Sequence, residues 1–168
     1  MKDFERLLKN INALDIDDIF KTLWSRNDVQ KYILKLNTKG EKTSQLYELG
    51  EDSLGDKLEG FGGINWLVNG EYASYTIEKK IDKGQRHDHP TLENKGDFYK
   101  SFIVLPNNKG FKVDADFNVT GDNGESGNIL DTLANGREIL GLNEKNVELL
   151  LAFIEPDFDK ELEKRLFA

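Results

Sequence analysis

Hydrophobic residues in this 168-residue chain change their spacing twice along its length, and that change limits the fold more than any other feature. At the start they recur every three or four positions: Phe4, Leu7, Leu8, Ile11 and Leu14, then Ile16, Ile19, Phe20 and Leu23, then Val29, Tyr32, Ile33 and Leu36. Each set falls on one face of an α-helix, which gives it a core or a subunit contact to make. Asp15 stands before the second set as an N-cap, and Asn27 or Asp28 is expected to start the third. In the middle of the chain Phe111, Val113, Ala115, Phe117 and Val119 alternate strictly with polar residues, as a half-buried strand requires. Pro106-Asn107-Asn108-Lys109-Gly110 separates them from Phe102–Leu105, so an antiparallel hairpin is expected over 102–119, covered on its apolar side by terminal helices.

Helical spacing returns after Asn143, another N-cap, with Val147, Leu150, Ile154, Phe158, Leu162 and Leu166. Pro156 lacks a backbone donor and crowds the preceding turn, so a kink or break is expected near Ile154. The fold class is therefore α+β, with N-terminal helices, a small antiparallel sheet and a long kinked C-terminal amphipathic helix. A single domain over 1–168 is expected, divided into a helical region 1–37, a glycine-rich loop region 38–72 and a core with the last helix over 73–168.

Within the glycine-rich region, Ile64–Val68 reads as a short strand and Asn69-Gly70 as a tight turn. Phe61, Trp66 and Tyr72 form a local aromatic cluster or await cover by a neighbouring subunit, and the loop is expected to dock against such a neighbour. Further along, Ala73–Asp82 reads as a helix with Ser74 near its cap and Gly84 closing it, and Asn94–Ser101 as a second short helix. Gly121–Gly127 reads as an exposed turn, Asn128–Ala134 as a helix, and Gly136 and Gly141 as punctuation of the link to the last helix.

Charge narrows the functional classes. Lys and Arg number 23 against 31 Asp and Glu, a formal charge of -8, and binding a phosphate backbone by counterion release needs a positive surface instead. Lys79–Arg86 is the one basic stretch of note. With no cysteine the chain has no disulfide, no thiolate ligand and no thiol nucleophile, which suits a reducing cytosol. The start, MKDFERLLKNINALD, lacks the apolar core of a secretory signal, and no run approaches the roughly 18 apolar residues of a membrane span.

Motifs with chemistry fall short. His87-Asp88-His89 beside Arg86 offers two imidazoles for a metal or for acid-base work, but the chain holds no third histidine. Asp114–Glu125 places acidic residues in the order of a calcium loop, yet Val119 stands where the sharp turn needs glycine. Neither a GxxxxGK[ST] loop nor a GxSxG elbow occurs, and Asn118-Val119-Thr120 is a sequon without a secretory context. No catalytic, metal-binding or cofactor-binding residue is singled out, and the chain is expected not to be an enzyme.

One block is distinctive: Thr76-Ile77-x-x-Lys80, then Lys83-Gly84-Gln85-Arg86, Pro90-Thr91-Leu92, and Lys95-Gly96-Asp97-Phe98-x-x-Ser101-Phe102. It resembles the central block of the tail-completion, or neck, proteins of tailed phages, in which a T-I-x-x-K helix leads through a basic K-G loop to a strand. It is also similar to virion proteins of crAss-like phages of Bacteroides-type hosts. The resemblance implies a head-to-tail connector subunit in the virion, made in the host bacterial cytoplasm and assembled with its own copies into a ring. Portal, adaptor and tail proteins are the implied partners, with DNA passing nearby and no membrane involved. Thr76, Ile77, Lys80, Lys83, Gly84, Arg86, Leu92, Gly96, Phe98, Ser101 and Phe102 are the implied motif or interface residues, and Lys79, Lys80, Lys83 and Arg86 are expected to pair with acidic faces of neighbours. The alternatives are a small nuclease of the barnase or colicin type using His87 and His89, and an acidic binding module with one tight partner.

Overall fold

Asp15 caps α2 (Ile16–Trp24) as expected: its Oδ1 accepts the Asp18 amide at 3.1 Å and satisfies a donor that the helix leaves unpaired. The computed structural model describes residues 2–58, 67–68, 71–107, 109–122, 124–129 and 138–167. Before α2 comes α1 (Lys2–Asn12), and after it α3 (Asn27–Asn37), which Asn27 starts as expected, with Arg26 at the cap position. Arg26 makes no capping bond; its guanidinium grips Asp28 at 2.6 Å and Asp157 at 2.7 Å, which ties the start of α3 to the last helix.

The expected hairpin forms as β3 (Ile103–Asn107) and β4 (Gly110–Asp114), with Val104 opposite Val113 and both buried. Helices α2 and α3 cover that face, and Trp24 meets Phe111 edge-on at 5.3 Å. The ladder nevertheless stops at Asp114, five residues short of the end of the alternating pattern. Side chains take the amides that the ladder would need: Ala115 donates to Asp114 Oδ1 at 3.1 Å, Asp116 to Ser101 Oγ at 3.0 Å and Asn118 to Asp116 Oδ1 at 2.9 Å. Val119 lies instead in β5 (Asn118–Thr120), which pairs with β6 (Ser126–Asn128). The exposed turn is thus shorter than 121–127, closed by the Gly121 amide on the Glu125 carbonyl at 2.7 Å. A third antiparallel pair joins β1 (Leu67–Val68) to β2 (Glu71–Tyr72).

Between α3 and β1 the described residues are turns and irregular backbone, as read, apart from one element that spacing did not suggest. Gln45–Leu49 forms a single π turn, and Leu46 and Leu58 are fully buried in this chain's own core. Polar side chains stitch the segment in place. Gln45 donates to the Gly141 carbonyl at 2.9 Å and accepts the Asn143 amide at 2.7 Å, while Asn146 donates to the carbonyls of Leu36 at 3.1 Å and Thr43 at 2.9 Å. Buried polar groups paired this way fix one register of the loop.

Helix α4 spans Ser74–Asp82, and the expected Asn94–Ser101 helix shrinks to α5 (Asp97–Lys100). The last helix, α6 (Glu144–Phe167), is capped by Asn143 Oδ1 on the Asn146 amide at 3.0 Å and runs through Pro156 without the expected break near Ile154. Pro156 and Ala152, whose carbonyl would have bonded residue 156, both face solvent, where water can take the freed acceptor. Phe158 stacks on Phe20 at 5.0 Å, so α6 buries its proximal face on α2, and α1 lies along its distal end. Gly60, Gly62 and Gly63, Phe61 and Trp66, the start of the Ile64–Val68 strand, the Asn69-Gly70 turn, Gly136, and residues 130–134 of the expected Asn128–Ala134 helix lie outside the described residues; Asn128 itself ends β6. The protein is an α+β fold, and no described helix is long and apolar enough to cross a membrane.

Candidate functional site

Most of the distinctive block folds around α4. Ser74 is the first helical residue, with Ala73 at the cap position and no capping side chain. At the other end Gly84 adopts φ 63°, and the amides of Gly84 and Gln85 close on the carbonyls of Ile81 at 2.9 Å and Lys80 at 2.8 Å. This paired closure is the Schellman arrangement, which glycine at that position favours. It turns the chain back so that residues 91–94 pass beside α4.

Thr91 is the node of that return. Its amide donates to Tyr72 Oη at 2.8 Å, its carbonyl accepts from Tyr99 Oη, and its hydroxyl accepts from Lys80 Nζ at 3.2 Å. Lys80 also donates to the Glu93 carbonyl at 2.8 Å and lies over the Tyr72 ring at 4.8 Å. Only 6% of Lys80 is exposed, and among the described residues no carboxylate forms an ion pair with it. Burial pushes its amine down to about 8; the Glu93 charge works against that shift, and Lys83 and Lys39 add to it. Leu92 follows at φ 56°, a left-handed backbone held by a buried side chain.

The other motif residues are architectural too. Phe98 and Phe102 meet edge-on at 4.9 Å within the core, and Phe117 joins them at 6.0 Å from Phe98. Ser101 donates to the Phe98 carbonyl at 2.7 Å, Gly96 takes φ 81° before α5, and Ile77 packs partly buried on the core. Lys79 and Lys83 converge on Asp122 at 3.5 and 3.1 Å, and Lys83's hydrogen bond holds that carboxyl below its usual range. Arg86 pairs with Glu48 and, at 2.7 Å, with Asp88. The basic stretch expected to face neighbouring subunits is therefore engaged within this chain.

A cavity of about 360 Å³ opens between α4, residues 92–94 and the turn after β5. Tyr72, Leu92, Val119 and Ile129 supply apolar walls, and Lys80 reaches its lining. Two polar atoms on its lining residues, Thr76 Oγ1 and Gln85 Oε1, are buried without a hydrogen-bond partner among the described residues.

The histidine pair sits elsewhere. His89 Nε2 lies 3.0 Å from the Tyr47 carbonyl and Nδ1 3.2 Å from Asp88, which pins the π turn, while His87 is exposed with Nδ1 3.4 Å from the Gln85 carbonyl. Among the described residues no three His, Cys, Asp or Glu side chains gather as a metal site. Sequence reasoning missed Thr91 and Asp122 as site residues. Thr91 stood inside the quoted block, but nothing in its type marks full burial, and Asp122 lay in a stretch read as an exposed turn. No family model, curated protein or solved structure matches the chain.

Proposed function

We propose that this protein is a structural virion subunit of a tailed phage, a head-to-tail connector or tail-completion component that assembles with its own copies and with portal, adaptor and tail proteins. The observation that carries the reading is the unpartnered apolar face of α1, where Phe4, Leu8 and Ile11 are 65%, 45% and 49% exposed. Phe167 stands exposed at the same end, beside the Leu166 carbonyl that Asn10 holds at 3.0 Å. Apolar surface gathered on one helix and at one end of the molecule marks a protein contact, and a heterologous contact between copies closes a ring. A charge of -8 suits a joint through which DNA passes, because a basic bore would retain the duplex.

Motif residues from Thr76 to Phe102 support this reading by what they do. They build a core, a helix stop and internal ion pairs, which is the work of a structural domain. Both ring nitrogens of His89 lie within hydrogen-bonding reach of groups in the same chain, which weighs against a free acid-base pair. The test is genetic: inactivate the gene in its phage and complement with the wild type or with Phe4→Ser/Leu8→Ser/Ile11→Ser. Micrographs should show full heads and free tails left unjoined, rescued by the wild type and not by the triple variant. Joined, infectious particles without the gene would overturn the proposal.

A further inference from the structure

The cavity beside α4 has the makings of a ligand site that the connector reading neither requires nor predicts. Its volume, about 360 Å³, lies within the range of small-molecule pockets. Its walls are apolar, and one ring, that of Tyr72, is held in place by its hydroxyl accepting the Thr91 amide at 2.8 Å. What the walls enclose is unbalanced. The nearest carboxylate to consider, Glu93, is committed to Lys39 at 3.1 Å, and Asp122 is shared by Lys79 and Lys83. Lys80 is left with neutral acceptors only, the Thr91 hydroxyl and the Glu93 carbonyl. A buried ammonium whose only opposing charge, that of Glu93, is shared with Lys39 and not ion-paired to it is costly to keep charged, and a ligand anion would be the closer partner.

We propose that this cavity binds a small aromatic monocarboxylic acid, with the carboxylate against Lys80 and the ring against Tyr72, Leu92, Val119 and Ile129. Lys80 is the buried ammonium of the lining, and one carboxylate answers its charge. The apolar walls and the fixed Tyr72 ring call for an aromatic body on that carboxylate.

Binding must depend on pH in a defined direction. Lys80 is surrounded by Lys83 and Lys79 from α4, Glu93 from the returning segment, Lys39 from the segment after α3, Asp122 from the turn, and the Tyr72 and Tyr99 hydroxyls. With its amine titrating near 8, Lys80 is charged at pH 7 and largely neutral above pH 9. An anion that needs the charge binds at the lower pH and takes up a proton when it binds close to pH 8.

Isothermal titration calorimetry of the full chain with para-hydroxyphenylacetate tests the site. The expected result is saturable one-to-one binding at pH 7, weaker by up to about tenfold at pH 9, with proton uptake near pH 8 read from the dependence of the heat on buffer. The neutral amide para-hydroxyphenylacetamide and the Lys80→Met variant should each lose about tenfold or more. Leu8→Ser, remote from the cavity, should bind as the wild type does. Should Lys80→Met fail to fold, the wild-type pH profile and methyl shifts of Leu92 and Ile129 on titration decide the matter. Absence of saturable binding, equal affinity for acid and amide, binding indifferent to pH, or shifts confined to α1 would each overturn the proposal.

Discussion

Lys80 is a buried lysine, and burial brings its folded-state amine down to about 8 against an ordinary 10.5. Between those values the unfolded chain holds more protons than the folded one, so this residue makes stability rise with pH over that window. Urea unfolding at pH 8 and pH 10 should show the wild type gaining on Lys80→Met, with a slope approaching about 1.4 kcal/mol per pH unit. A constant difference between the two proteins would mean the amine is not desolvated. Glycines give a second contrast. Gly50 and Gly84 both adopt left-handed backbone, at φ 59° and 63°, but a Cβ on Gly50 would stand 2.5 Å from His89 Cδ2, whereas one on Gly84 meets nothing within 4 Å. Gly84→Ala should cost about 1 kcal/mol for backbone alone, and Gly50→Ala about 2–4 kcal/mol because His89 must move as well. Thermal or urea melts order the two. At this scale the caps were legible, since Asp15 and Asn143 each precede a periodic apolar run and carry the right acceptor. Burial of Lys80 was not, because lysine type argues for the surface and its cover comes from residues 91–94, which only the turn at Gly84 brings near.

Elements followed the apolar period wherever no side chain competed for the backbone. All three N-terminal helices and the long final one form where the three-and-four spacing put them. Alternation alone misjudged the end of the hairpin, because Asp114, Asp116 and Ser101 capture amides between β4 and β5, and such capture leaves no trace in hydrophobic spacing. How residues 38–58 of the loop region are anchored went unseen for a related reason. Its anchors are Gln45, Asn143 and Asn146, polar residues whose long-range pairing no local pattern reveals. Pro156 does not break α6, which carries it on the solvent side. The missing donor still has an energetic cost. Pro156→Ala should therefore stabilise the protein, by about 1–3 kcal/mol, with α6 unchanged in extent. A loss of stability on unfolding in urea would mean that proline is favourable there through the unfolded chain.

For the molecule as a whole, two surfaces divide the account. One is the open cavity beside α4, lined in part by the motif residues. The other is the apolar face of α1 with Phe167, which nothing in the single chain covers. The sequence already placed Phe4, Leu8 and Ile11 on one stripe, but whether core or partner would cover it could be read only once α1 was seen lying along the distal end of α6. If the stripe is a subunit contact in a connector ring, the protein must be present in finished particles in several copies. Quantitative mass spectrometry of gradient-purified phage, with the portal protein as internal standard, measures this directly. The account predicts a fixed, ring-sized ratio of this chain to portal in every preparation, and its absence from particles that are complete and infectious would contradict it.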